Sequence, residues 1–270
     1  MARQSHPTGR AALFGLLCCV WGAAGAGPVE RYDGLAYARD GARLLYRETH
    51  WRYAEQGVGH RLVLYRCPGG EAFARKRVVD GASAAAPDFD FSDGRDGYRE
   101  GVRSRGDGRE VYVQDGARAP LRSRALSLPR DAVIDAGFDA MVRARWDALS
   151  PGRAIAVPFL LPSRFDFLDL KLAAAAPARV DGRGARRLRM SLDRWYGFAI
   201  PAIELTYADA DRRLLEFRGI GTIRDRRGRH LDVRIAFPAD AVSHDATRAE
   251  VERATTMPLA RNCGAGSPSV

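Results

Sequence analysis

Few residues in this chain stand at spacings that chemistry requires. The tract Asp88-Phe89-Asp90-Phe91-Ser92-Asp93-Gly94 comes nearest. It sets side-chain oxygens at alternate positions, as a calcium loop does at its start. Such a loop needs glycine at its sixth position and glutamate at its twelfth; here they are Asp93 and Arg99. The pattern therefore gives no metal site, and the tract reads as a solvated acidic loop pinned by Phe89 and Phe91. Gly219-Ile220-Gly221-Thr222-Ile223-Arg224 opens like a dinucleotide fingerprint. It lacks the third glycine and the helix that must follow. Its glycines fit a bulge or a close approach within a strand.

Nucleophilic chemistry has no local signature. The chain holds no Gly-x-Ser-x-Gly and no Ser-x-x-Lys. His50, His60, His230 and His244 stand in no metal-binding arrangement. A triad of Ser163, a histidine and an aspartate brought together by the fold stays open. Arg164 and Asp166 read either as a ligand-contacting pair at a sheet rim or as a turn with a charge pair. No cofactor is implied. The aromatics are more suggestive. Trp51 and Tyr53 share one face of a strand, Val63 and Tyr65 share one face of the next, and Trp195-Tyr196-Gly197-Phe198 forms a further cluster. These side chains are core in a closed sandwich; in an open, curved sheet some line a pocket for an apolar ligand. Trp51, Tyr65 and Trp195 are the candidate ligand contacts.

Alternating runs must position these residues. Leu231, Val233, Ile235 and Phe237 alternate with Asp232, Arg234 and Ala236, and Leu188, Met190 and Leu192 alternate with Arg187, Arg189 and Ser191. That is the pattern of a strand with one buried and one wet face. Strands are predicted near 35–39, 43–53, 61–67, 71–79, 98–105, 109–115 and 121–128, then near 154–161, 165–174, 186–193, 203–208, 214–224 and 231–237. Turn signals such as Asp181-Gly182 and Arg227-Gly228 separate them. Between the two sets, Ile134, Phe138, Met141, Val142, Trp146 and Leu149 form a stripe at helical spacing, which predicts a helix over 131–149. A shorter helix is predicted over 246–255. The Gly81–Gly97 tract reads as a long surface loop. The fold class that follows is mainly β: a large curved antiparallel sheet or half-barrel with one amphipathic helix in its concavity.

The N-terminus marks the chain for export. Arg3 and Arg10 precede an apolar run that ends on Ala24-Gly25-Ala26, so residues 1–26 read as a signal peptide cleaved before Gly27. The run is too short to span a bilayer comfortably, and no later segment is a transmembrane anchor. Residues 27–260 are expected to form one antiparallel β domain, with 261–270 a flexible tail. Cys67 and Cys263 remain after processing, and an oxidising compartment would allow one disulfide between them. The expected location is periplasmic or secreted. The net charge of +10 is carried almost wholly by arginine, since Lys76 and Lys171 are the only lysines. The acids are interspersed, and no nucleic-acid-reading element is present, so nucleic acid is not an expected partner. A lipid or another envelope component is.

The run Leu214 to Asp225, with Gly228 and the strand Leu231–Phe237, resembles an uncharacterised family of secreted proteobacterial proteins. Asp135 to Asp139, Trp146 and Pro162-Ser163 are similar to that family too. Its members tend to carry Ser-Asn where this chain has Gly221-Thr222, and the resemblance implies no activity. The layout of a long meander with an inserted helix is also similar to the periplasmic lipoprotein carrier and its outer-membrane receptor, half-barrels that hold acyl chains. The sequence thus points to a non-enzymatic envelope protein that binds an apolar or amphiphilic ligand or an envelope partner. An envelope hydrolase with dispersed catalytic residues and a purely structural interaction domain are the alternatives.

Overall fold

The computed structural model describes residues 1, 27–192 and 202–264. Residues 2–26, where a signal peptide is expected, the Trp195 cluster and the last six residues lie outside the described residues. The rest is built from antiparallel hairpins. Strands β1 (Val29–Ala38), β2 (Leu44–Glu55), β3 (Val58–Arg66), β4 (Ala72–Val79), β5 (Asp88–Asp93), β6 (Tyr98–Arg105), β7 (Gly108–Asp115) and β8 (Arg122–Ala125) pair in sequence order. Strands β9 (Ala154–Leu161), β10 (Asp166–Val180), β11 (Arg183–Leu192), β12 (Ile203–Ala208), β13 (Leu214–Arg224) and β14 (His230–Ala236) do the same, and β14 pairs with β1. A short β15 (Val242–Ala246) also pairs with β1. The result is one antiparallel sheet, curved but not closed, with β8 and β9 at its two ends. Two-residue turns set the tightest registers. Gln56-Gly57 and Asp181-Gly182 both take positive φ at each position, the conformation whose twist matches a hairpin.

The chain crosses from the β8 end to the β9 end through the segment that the sequence assigns to a long helix. The helix is shorter than its apolar stripe: α1 covers Gly137–Ala144, and a 3₁₀ turn follows at Trp146–Ala148. Residues before it are committed elsewhere. Val133 bridges Phe159 in parallel, donating its N–H to Pro158 and accepting from Leu160, and Ile134 donates to Ala85. Asp131 and Asp135 take left-handed φ values of 59° and 44°, which no helix continues through. The stripe is buried all the same, because Ile134, Phe138, Met141, Val142, Trp146 and Leu149 all face the concavity or the β9–β12 wall. Gly137 starts the helix at a close approach, where a Cβ would lie 2.1 Å from the Ala85 carbonyl oxygen.

The Gly81–Gly97 tract contains a strand, β5, rather than only loop. Its period-2 pattern turns Phe89, Phe91 and Asp93 inward and pairs the segment with both β4 and β6. The oxygens of the calcium-like run are taken by protein donors. Asp88 accepts from Arg109, Asp90 from the Tyr112 hydroxyl, and Asp93 from Arg95. At Gly219–Thr222 the register of β13 on β14 shifts, so the glycines mark a bulge and not a nucleotide loop.

The convex face of β2–β4 is covered by α2 (Arg248–Thr256), where Val251 and Ala254 pack on Trp51, Leu62 and Leu64. Arg75 and Arg77 hold the C-terminal end of this helix through the carbonyls of Ala254, Met257 and Thr255. The strap then reaches Cys263, whose sulfur lies at bonding distance from Cys67, with the two Cα atoms 5.5 Å apart. A cross-link over 196 residues of sequence removes much unfolded-chain entropy, about 5 kcal/mol in the chain-entropy account. Cys263→Ser is therefore expected to lower stability by several kcal/mol in urea melts. Wild type under reducing conditions should match the variant; equal midpoints in oxidised wild type and variant would mean that the strap is held by packing alone.

Candidate functional site

The concave face encloses a cavity of about 510 Å³. Its two walls differ in chemistry. Strands β9 to β13 and α1 supply Phe159, Leu168, Leu170, Met190, Ile203, Leu205, Phe217 and Phe138. Strands β2 to β6, the start of the crossover and the first turn of α1 supply Glu48, His50, Arg61, Lys76, Glu100, Asp135 and Asp139, with Thr222 and His230 across from them. Register explains the polar wall. His50 sits opposite Val63, Glu48 opposite Tyr65, Lys76 opposite both Val63 and Phe91, and Glu100 opposite Phe91. These residues therefore share the inward phase of successive strands.

Each charge in this layer has a partner. The Lys76 ammonium, 5% exposed, donates to Asp135 Oδ1 at 2.5 Å and to Thr222 Oγ1 at 3.2 Å. It also lies 5.8 and 5.9 Å from the ring centres of Phe89 and Phe91, within cation–π reach. Arg61 reaches Asp139 Oδ2 at 3.5 Å, and the Tyr207 hydroxyl donates to Asp139 Oδ1 at 2.7 Å. His50 Nε2 lies 2.9 Å from Glu48 Oε2, and its ring stacks on Tyr32 with centres 4.5 Å apart. Tyr98 donates to Glu100 Oε2 at 2.8 Å. Asp135 Oδ2 and His50 Nδ1 are buried without a hydrogen-bond partner.

Burial and charge pull the titrations in opposite directions. Burial alone would raise the Asp139 carboxyl; the Arg61 and Arg143 guanidinium groups and the Tyr207 hydroxyl outweigh it and hold it below the usual range. Glu100 goes the other way. Burial pushes it up, against the Tyr98 hydrogen bond and the Lys76 charge. Burial also lowers His230, whose Nδ1 lies 3.0 Å from the Gly221 carbonyl oxygen and so carries the proton of the neutral ring. The layer is a set of paired charged and polar groups drawn from several strands and the crossover.

The sequence candidates separate in space. Tyr65 lines the cavity and is buried between Tyr46 and Phe91. Trp51, expected in the concavity, lies on the opposite face under α2. It pairs with Leu62, and both faces of β3 are apolar, so alternation alone could not set the phase. Trp195 lies outside the described residues. Ser163 stands at the cavity edge but hydrogen-bonds to no histidine or carboxylate among the described residues. Among the described residues Arg164 and Asp166 form no ion pair; Asp166 accepts from the Phe167 N–H. Among the described residues no group of three potential ligands could hold a metal ion. Sequence reading missed the ionic layer, although one signal was present. Ala74, Lys76 and Val78 share a phase in β4, which sets one of the chain's two lysines facing inward.

No protein-family model matches the chain, and no curated protein does. Among solved structures the chain is similar to a beta-barrel-like protein of the domain of unknown function DUF1849 from Brucella abortus, at 8% identity and a TM-score of 0.46, over 81% of this chain and 98% of that one. It is also similar to a DUF1329 family protein from Desulfovibrio piger, at 11% identity and a TM-score of 0.27, over 86% of this chain and 92% of that one.

Two outcomes test the ionic layer. Lys76→Met leaves the half-buried Asp135 without its cation, so the loss should approach but stay below the about 3–5 kcal/mol seen when one partner of a fully buried pair is removed. The double variant Lys76→Met/Asp135→Asn should recover most of that loss in urea melts. Glu100→Gln reads the pH dependence. The folded state binds the Glu100 proton more tightly than the unfolded chain does, so stability falls as pH rises from the ordinary value near 4.5 through the raised folded value. Glutamine should raise the melting temperature at neutral pH and flatten its decline as pH rises above the ordinary carboxylate range.

Proposed function

We propose that the chain is an exported, non-enzymatic binding protein whose concave chamber takes an amphiphile. The observation that carries this reading is the division of one cavity into an apolar wall and a wall of compensated charges. An acyl chain would lie along β9 to β13, and its polar group would face Arg61 and Lys76. The volume is within the few-hundred to one-thousand Å³ range of small-ligand sites. Work outside the cytoplasm is supported by the export pattern of residues 1–26 and by two cysteines at bonding distance, since disulfides persist in oxidising compartments. Among the described residues no helix is long and apolar enough to cross a membrane. The hydrolase alternative draws no comparable support, because among the described residues no histidine or carboxylate hydrogen-bonds to Ser163.

A ligand that binds only the folded form raises its stability by mass action, about 2.7 kcal/mol at a hundredfold excess over the dissociation constant. Titration of dodecanoate or lysophosphatidylcholine should accordingly raise the melting temperature. Met190→Trp, which fills the apolar wall, should remove the shift, whereas Trp51→Phe on the far face should keep it. Flat melts across both ligand types would end the amphiphile reading.

A further inference from the structure

The free edge at β8 carries a surface that the chamber does not account for. Residues 116–130 hold Arg118, Arg122, Arg124 and Arg130 and no acidic residue. All four arginines are exposed, and Leu121 and Leu128 between them are 47% and 44% exposed. The acids that flank the segment are already engaged: Asp115 by Arg122 and Arg224, and Asp131 by Arg145. Arg118, Arg124 and Arg130 make no ion pair among the described residues. β8 itself ends the sheet, so among the described residues its outer backbone edge has no strand beside it.

This strip adjoins residues that line the chamber. The Pro162–Arg164 turn between β9 and β10 packs on β6 and β7, and Pro162 and Ser163 line the cavity. The next residue, Phe165, lies under the guanidinium groups of Arg122 and Arg124, at 5.4 and 5.8 Å from its ring centre. Arg164 beside it is exposed and makes no ion pair among the described residues. Arg122, Arg124 and Arg164 thus meet the chamber lining around Phe165, and Leu121 and Leu128 lie in the same exposed strip of chain.

We propose that this patch docks the chamber mouth onto an anionic lipid surface. Arginine matches lipid phosphate in charge and geometry, and exposed leucines between the arginines enter the headgroup layer as in other interfacial segments. An acidic protein strand added to the β8 edge would use the arginines but leave Leu121 and Leu128 without a role. The proposal rests on the amphiphile reading for its purpose, since a docked mouth would let the ligand pass without crossing water, but its test is separate.

The experiment is sedimentation with vesicles of phosphatidylcholine alone and of phosphatidylcholine with phosphatidylglycerol. Wild type should bind the anionic vesicles and release as ionic strength rises. Arg124→Glu/Arg164→Glu should weaken binding about tenfold or more, from the size of each basic contact at an anionic surface. The same reversal at Arg187 and Arg189, exposed on β11, should have little effect. The Arg124/Arg164 variant should keep the dodecanoate-induced rise in melting temperature, which shows that it is folded and that the chamber is intact. Failure of wild type to bind anionic vesicles would overturn the proposal and leave the edge to strand pairing. Equal loss in both double variants would overturn it as well, because net charge alone would then be at work. Vesicle binding without any dodecanoate shift would sustain the docking and remove the amphiphile chamber.

Discussion

A single ammonium group, that of Lys76, ties together the parts of the chain that are furthest apart. It rises from β4, meets Asp135 on the crossover and Thr222 on β13, and lies over the rings of two β5 phenylalanines. Taking a charge out of water costs several kcal/mol, and only close partners offset it. The lysine therefore requires that both halves of the sheet and the crossover arrive together. Asp135 accepts a left-handed backbone to reach it, local strain held by the surrounding contacts. The apolar packing of α1 against β9 to β12 follows from that placement, since Asp135 lies two residues before the helix begins.

An unclosed sheet has two raw edges, and the chain treats them differently. The β9 edge is covered from within, by Val133 in a parallel bridge that leaves α1 shorter than its apolar stripe. The β8 edge is short and flanked by arginines, which discourage strand-on-strand association between copies of the chain. The disulfide and α2 act on a third exposed area, the convex face of β2 to β4, where both sides of the sheet need burial. With these devices in place, the concave side is left partly unfilled. The resulting chamber is apolar along one wall and charged along the other, a division that suits a ligand with two kinds of surface.

Much of this was legible in the chain. Strands β9, β12 and β13 fall on the residues that alternation assigned, α2 lies close to its expected span, and the turn residues stand where hairpins need them. Period-2 patterning with one apolar face is a strong local signal, and a run of short connections leaves an antiparallel meander as the simplest result. What the chain did not disclose concerns phase and competition. Trp51 and Tyr65 look equivalent in sequence, yet they point to opposite sides, because β3 is apolar on both faces and only the positions of α2 and the cavity decide which side is which. Phe89 and Phe91 alternate like strand residues but sit among acids and turn formers, and only pairing with β4 and β6 resolves the conflict. The 131–149 stripe has helical spacing throughout, yet its first residues are taken by β9, since a backbone N–H buried at a sheet edge must be satisfied there. By itself the sequence determined the strand-rich class and the cysteine pair available for bonding. The tertiary structure decided the ionic layer and the chamber, because Glu48, Lys76, Glu100, Asp135 and Asp139 lie on separate elements, and a cluster drawn from several strands leaves no periodic trace in any one of them.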